Sequence, residues 1–144
     1  MFDTATYKRR RDELKKLVKE GIIILFGNNE SPANFPNNGY FPFRQDSSFL
    51  YYYGLQRDGL VGVIDVDNDK DLLIGNDIDI EDIVWYGSVE SMEEMRQRCG
   101  ASETLPMRSL IRGQKFFSGK TVFMKNFWVF ALKSHPFLSS RQIR

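Results

Sequence analysis

Ile22-Ile23-Ile24-Leu25-Phe26 decides the fold class of this chain. A short, unbroken apolar run dominated by β-branched residues suits a strand buried on both faces of a sheet. Upstream, residues 7–19 read as a helix. Thr4 or Thr6 stands at its N-cap, Tyr7, Leu14, Leu17 and Val18 mark one face, and Gly21 follows its end. The basic run Lys8-Arg9-Arg10-Arg11 falls mostly on the solvated face. A helix leading directly into a buried strand predicts α/β layering. Downstream, residues 59–66 and 71–75 read as two strands joined through Asp67-Asn68-Asp69-Lys70, a β-hairpin. Ser91 and Glu94 offer a capping box for a helix that closes at Gly100. A further helix is expected from Pro106 to Gly113, then a strand at Thr121-Val122-Phe123-Met124 and a buried element at 127–132 that Pro136 ends. A hairpin among crossover helices forces at least one antiparallel pair, so the expected fold is α/β, a mixed β-sheet flanked by helices.

The 144 residues fit one domain, and 42% hydrophobic with 27% charged residues is an ordinary globular balance. No apolar stretch approaches the roughly 18 to 20 residues that span a bilayer, and Met1-Phe2-Asp3-Thr4 lacks the order of a secretory signal. A soluble, cytoplasmic protein without membrane partners is expected. Cys99 is the single cysteine, which excludes an internal disulfide and a Cys-based zinc site and leaves an idle thiol. Charge is unevenly placed. Up to Glu103 there are 12 Lys/Arg against 19 Asp/Glu, and beyond it 8 against none. The tail's basic residues are spread among aromatics, and the acidic part would repel a phosphate backbone, so nucleic acid is not expected as a partner.

Catalytic chemistry has little to work with. The sole histidine is His135, so neither a Cys-His pair nor a Ser-His-Asp triad is announced. Asp65, Asp67, Asn68, Asp69 and Asp71 suggest a calcium loop, but the sixth position from Asp65 is not glycine and the twelfth, Asn76, is not glutamate. Asp77, Asp79, Glu81 and Asp82 supply oxygen ligands without the spacing of a cage. Gly27 and Gly39 flank an Asn/Pro loop and do not open a helix after a strand, which excludes a phosphate loop. No catalytic and no metal-ligating residue is therefore assigned.

Tyr40-Phe41-Pro42-Phe43-Arg44-Gln45-Asp46-Ser47-Ser48-Phe49-Leu50-Tyr51-Tyr52-Tyr53-Gly54 combines a turn, a charge pair and an aromatic cluster. Asp46 or Ser47 is placed to cap a short helical turn, and Arg44 can fork onto a carboxylate or backbone carbonyls. Phe49, Leu50, Tyr52 and Tyr53 have the spacing of a buried helical face. Trp85, beside Tyr86 in a polar, irregular stretch, is the aromatic placed to contact a partner or ligand.

These residues resemble the N-terminal domain of the Xaa-Pro aminopeptidases, proline-specific metallopeptidases related to prolidase and creatinase. Tyr7, Arg10, Arg11 and Leu14 are similar to its opening helix. Tyr40, Pro42, Phe43, Arg44, Gln45, Asp46, Ser47, Phe49, Tyr51 and Gly54 match its Y-P-[FY]-R-Q-[DN]-S-x-F-x-Y-x-x-G signature with Phe41 inserted. Ile83-Val84-Trp85-Tyr86-Gly87 is similar to its I-W-x-G segment. The likeness covers about residues 1–113, whereas 114–144 diverges and holds no Asp or Glu. The resemblance implies a creatinase/aminopeptidase-type N-terminal domain with a ribonuclease H-like motif, standing before a pita-bread catalytic domain that these 144 residues do not contain. It further implies two manganese ions held by that other domain, peptides with proline at the second position as substrates, and a homo-oligomer. In that family the N-terminal domain builds oligomer contacts and walls the active site. By position, Trp85 corresponds to a tryptophan near a neighbour's substrate pocket, and Asn38 to a site often held by Asp. A second implication is a peptide- or protein-binding module, since a catalytically dead relative of this peptidase fold serves in histone chaperones.

Overall fold

The sheet grows outward from Ile22–Phe26. This computed structural model describes residues 2–31, 41–77, 90–112 and 122–125, with backbone alone at 111–112 and 123–125. In chain order the elements are α1 (Thr4–Val18), β1 (Ile22–Phe26), α2 (Ser47–Tyr53), β2 (Val61–Asp65), β3 (Lys70–Ile74), α3 (Met92–Cys99), β4 (Glu103–Leu105), α4 (Arg108–Arg112) and β5 (Val122–Lys125). They build a five-stranded sheet in the order β4-β3-β2-β1-β5. β1 pairs antiparallel with β2 and parallel with β5, while β3 pairs antiparallel with β2 and parallel with β4. The expected mixed α/β sheet is thus present, with the aliphatic run lying between two other strands.

Alternation along the strands divides the core in two. Ile23, Leu25, Ile64 and Leu73 face a cluster completed by Phe49, Tyr53, Leu55, Met92, Met95 and Cys99, side chains of α2, α3 and the segment after α2. Ile22, Ile24, Val61, Val63, Leu72 and Ile74 face the other way and gather Phe26, Leu105, Met107 and Leu110. Burial of a side chain such as Phe49 contributes about 1.5–3 kcal/mol. Gly62 stands opposite Leu25 on the helix-covered face, where a Cβ would overlap the Tyr53 ring. The ring therefore lies against backbone. Its hydroxyl is 3.1 Å from Leu72 O and 3.2 Å from Val63 O, the carbonyls of two directly paired residues.

Several local signals act where the sequence puts them. Ser91 and Glu94 close the capping box of α3, and Gly100 ends that helix in the left-handed region. Asp46 caps α2 through the Ser48 and Phe49 amides, and Gly54 ends it at φ 68°. A side chain at Gly54 would also overlap Tyr7, so glycine is required twice, by conformation and by the approach of α1. Other details differ. Asp3, not Thr4 or Thr6, caps α1, because its carboxylate reaches the Thr6 amide at 2.9 Å while Thr4 turns to Arg98 O at 2.9 Å. Leu17 is 79% exposed, and Arg11 takes a place on the buried stripe with Tyr7. The strand β4 was not expected. α4 spans Arg108–Arg112 within the interval expected to be helical, and β5 begins one residue after Thr121.

Candidate functional site

Arg11 brings four elements to one point. It lies four residues after Tyr7 and three before Leu14, so the helical period turns it toward the sheet. Its Nε donates to Asp71 Oδ2 at 2.9 Å, Nη1 to Tyr52 O at 2.7 Å and Nη2 to Gly100 O at 2.8 Å. The guanidinium also stacks on Tyr53, with Cζ 4.9 Å from the ring centroid. One fully buried cation thus ties α1 to β3, to a carbonyl of the last turn of α2 and to the end of α3. Asp71 stands on β3 opposite Ile64, on the same face as the helices. Its Oδ1 is 2.9 Å from Lys15 Nζ, which also lies 2.8 Å from Asp69 and 3.7 Å from Asp12. Burial alone would lower the Lys15 pKa, but the hydrogen bonds to Asp69 and Asp71 hold it above its ordinary value. The same bond to Lys15 lowers that of Asp69.

A second junction forms around Gln45. Its Oε1 accepts from Asn28 N at 2.6 Å and Asp46 N at 2.9 Å, and its Nε2 donates to Arg57 O at 2.6 Å. A buried amide has both a donor and an acceptor, so one side chain can fasten the end of β1, the start of α2 and the segment before β2. Of the signature residues, Asp46 caps, Ser47 opens α2, Phe49 is buried against Tyr53 at 5.3 Å, and Gly54 ends the helix. Arg44 is exposed, and among the described residues its side chain forks onto no carboxylate or carbonyl. Its backbone carbonyl instead accepts from Asn28 Nδ2 at 2.8 Å. Tyr40, Asn38 and Trp85 lie outside the described residues, as does His135.

Beside the Arg11 network an open cleft of about 890 Å³ is lined by Lys8, Lys15, Lys16, Asp69, Asp71 and Arg96, among others. Lys15 is paired with the carboxylates of the cleft and Arg96 with Glu93 at 2.6 Å, whereas Lys8 and Lys16 form no salt bridge among the described residues. Burial, partly opposed by the Ala101 amide and Arg11, pushes the Cys99 thiol up and leaves it a poor nucleophile. No three His, Cys, Asp or Glu converge to hold a metal among the described residues. The arrangement therefore fixes backbone and presents no nucleophile with a base beside it. In the sequence Arg11 and Gln45 stand out only as members of the family's opening helix and signature, without a role of their own. The signal for Arg11 was its spacing from Tyr7, and Gln45 carried none beyond its place in the signature.

A family model of the aminopeptidase P N-terminal domain matches residues 7–120. The chain belongs to that family. Among curated proteins it is similar to the Xaa-Pro dipeptidase of Homo sapiens, 31% identical over 77 residues, which are 54% of this chain and 15% of the human protein. The Xaa-Pro dipeptidase of Rattus norvegicus is 27% identical over 81 residues, 56% of this chain and 16% of the rat protein. Among solved structures, the low-pH form of E. coli aminopeptidase P superposes with a TM-score of 0.73 at 20% identity, covering 85% of this chain and 29% of that one. E. coli aminopeptidase P with the inhibitor Pro-Leu gives 0.75 at 19% identity, covering 90% and 31%. These structures share the fold of the aminopeptidase P N-terminal domain. The match spans less than a third of each relative's length.

Proposed function

We propose that this chain is the non-catalytic N-terminal domain of a metal-dependent Xaa-Pro peptidase, which removes an N-terminal residue preceding proline. The match of the aminopeptidase P N-terminal domain over residues 7–120 carries this reading. The described residues do not fit a dinuclear metal centre, since no three metal-ligating side chains converge among them and the buried carboxylates are taken, Asp71 by Arg11 and Lys15 and Asp65 by Asn68. No step of hydrolysis is routed through this domain. Two manganese ions belong with a separate catalytic domain, and the whole enzyme works as a cytoplasmic homo-oligomer. In it this domain contributes subunit contacts and walls the substrate site, with Trp85 and Asn38 as the residues toward substrate. The Arg11 and Gln45 junctions support that role by fixing the framework on which such a wall would stand.

The test has two arms. The 144-residue chain, assayed with manganese and an Xaa-Pro dipeptide, is expected to show no turnover; turnover would overturn the non-catalytic reading. The gene downstream of codon 144 is expected to encode homologous peptidase sequence in one of its frames. A gene with none, coupled to peptide binding without hydrolysis, would replace this reading with that of a binding module.

A further inference from the structure

Two exposed large apolar side chains flank a single cation. Phe2 is 62% exposed and Tyr51 is 49% exposed. The Arg10 guanidinium lies 4.5 Å from the Phe2 ring centroid and 4.1 Å from that of Tyr51, with Tyr7 at 5.7 Å. Its Nη1 donates to Tyr51 O at 2.8 Å, and the Tyr7 hydroxyl accepts from the Phe2 amide at 3.2 Å, which keeps the chain start beside the ring. Alongside runs a groove of about 540 Å³ walled by Tyr7, Ser47, Leu50, Tyr51 and Gln56, with no carboxylate among the described residues that line it. The nearby acids of α1 are engaged elsewhere, Glu13 with Arg9 at 3.2 Å and Asp12 beside Lys15 at 3.7 Å.

Stacking on aromatic rings holds a guanidinium in one orientation, so little rotamer freedom remains to be lost when it binds a carboxylate. One nitrogen of Arg10 is committed to a carbonyl, and no ion pair compensates its charge among the described residues. The groove therefore combines an uncompensated, oriented cation with apolar walls. Nucleic acid suits it less well. Arg10 already packs against the rings on which a base would stack, and residues up to Glu103 carry 19 acids against 12 bases.

We infer that this groove docks a segment of another polypeptide in which an aspartate or glutamate adjoins an aromatic or aliphatic side chain. The carboxylate pairs with Arg10, and the apolar group rests against Tyr7, Leu50 and Tyr51. The probe is a short acetylated and amidated peptide alternating glutamate with phenylalanine and leucine and containing no proline, titrated into the 15N-labelled 144-residue chain. Saturable amide shifts at Phe2, Arg10, Tyr51 and Gln56 are expected. Arg10→Gln and Phe2→Ala should each weaken the affinity about tenfold or more, as should glutamine in place of glutamate in the peptide. Phe2 is exposed enough that its variant keeps the fold, which circular dichroism melting verifies, so the test survives should Arg10→Gln unfold. The proposal is overturned by an absence of saturable shifts, by equal binding of the glutamine peptide, or by a single-stranded oligonucleotide that displaces the acidic peptide. It is equally overturned if these variants abolish self-association of the chain while no peptide binds.

Discussion

Arg11 Nε lies 2.9 Å from Asp71 Oδ2, with both side chains closed to solvent. Charges taken out of water are retained here because each guanidinium nitrogen meets an acceptor, the group lies against the Tyr53 ring, and Lys15 attends the second carboxylate oxygen. Such a pair costs little while complete and much when halved. Arg11→Met should lower unfolding free energy by about 3 kcal/mol, since Lys15 still offsets part of the stranded Asp71 charge. Arg11→Met combined with Asp71→Leu should regain most of that loss. Urea unfolding of the two variants checks both claims, and a double variant no more stable than the single one would show that the carbonyl bonds of Arg11 outweigh its ion pair.

Gln45 presents a different case, in which no charge is involved. Gln45→Ala withdraws the partners of two backbone amides, Asn28 and Asp46, and of the Arg57 carbonyl. Orphaned groups cost about 1–3 kcal/mol each when closed to water, and these are only part-buried, so a loss of about 2–4 kcal/mol in total is expected. Gln45→Glu keeps an acceptor for both amides but sets an ionised oxygen against the Arg57 carbonyl in a buried place, so it should lose at least as much. A smaller loss than that of Gln45→Ala in thermal melts would mean that the two amide bonds outweigh the contact with Arg57 O.

What could be read from the sequence follows the reach of each interaction. The strand at Ile22–Phe26 and the Ser91 capping box were legible because their causes lie within a few residues, and both occur as expected. Arg11 was not. Within Lys8-Arg9-Arg10-Arg11 it looks like its solvated neighbours, and its partner stands 60 residues away on a strand of the sheet. Asp71 was equally hidden, since among Asp65, Asp67 and Asp69 it passed for one more acid of a turn. The three-residue strand β4 has no alternation to recognise and exists because Gly75 N and Ser102 N–H bond across its ends, at 3.0 Å to Leu105 O and 2.7 Å to Asp71 O. Of the expected functional residues, Asn38 and Trp85 fall outside the described residues, so the legible part of the site is its framework.

Glu93 supplies a pH dependence with a definite sign. Hydrogen bonds from Arg96, and then from Gln97, hold its carboxyl at about 2 in place of the ordinary 4.5. A carboxyl lowered by folding stabilises the native state above its unfolded pKa and loses that contribution as pH falls through the folded one. The stability difference between wild type and Glu93→Gln should therefore be constant above about pH 5 and shrink as the pH drops from about 4.5 toward 2. NMR titration of the side-chain carboxyl should place its midpoint near 2, moving back toward 4.5 in Arg96→Ala. Because the group is exposed, about 1 M salt should move it the same way. A midpoint indifferent to both changes would exclude Arg96 as the cause.

Cys99 reports on how the network opens. Its thiol is buried at the end of α3, next to the carbonyl of Gly100 that Arg11 binds, and burial raises its pKa. A thiol reagent in mildly alkaline buffer must therefore wait for the chain to open, so its rate follows the open population as long as reclosing outpaces labelling. Native chain should react far more slowly than chain in denaturing urea. A destabilisation of about 3 kcal/mol by Arg11→Met corresponds to roughly a hundredfold larger open population, and labelling should accelerate by that factor. Should the rate stay as in wild type while urea unfolding shows the full loss, α3 detaches from the sheet on its own, and Arg11 is not what holds it there.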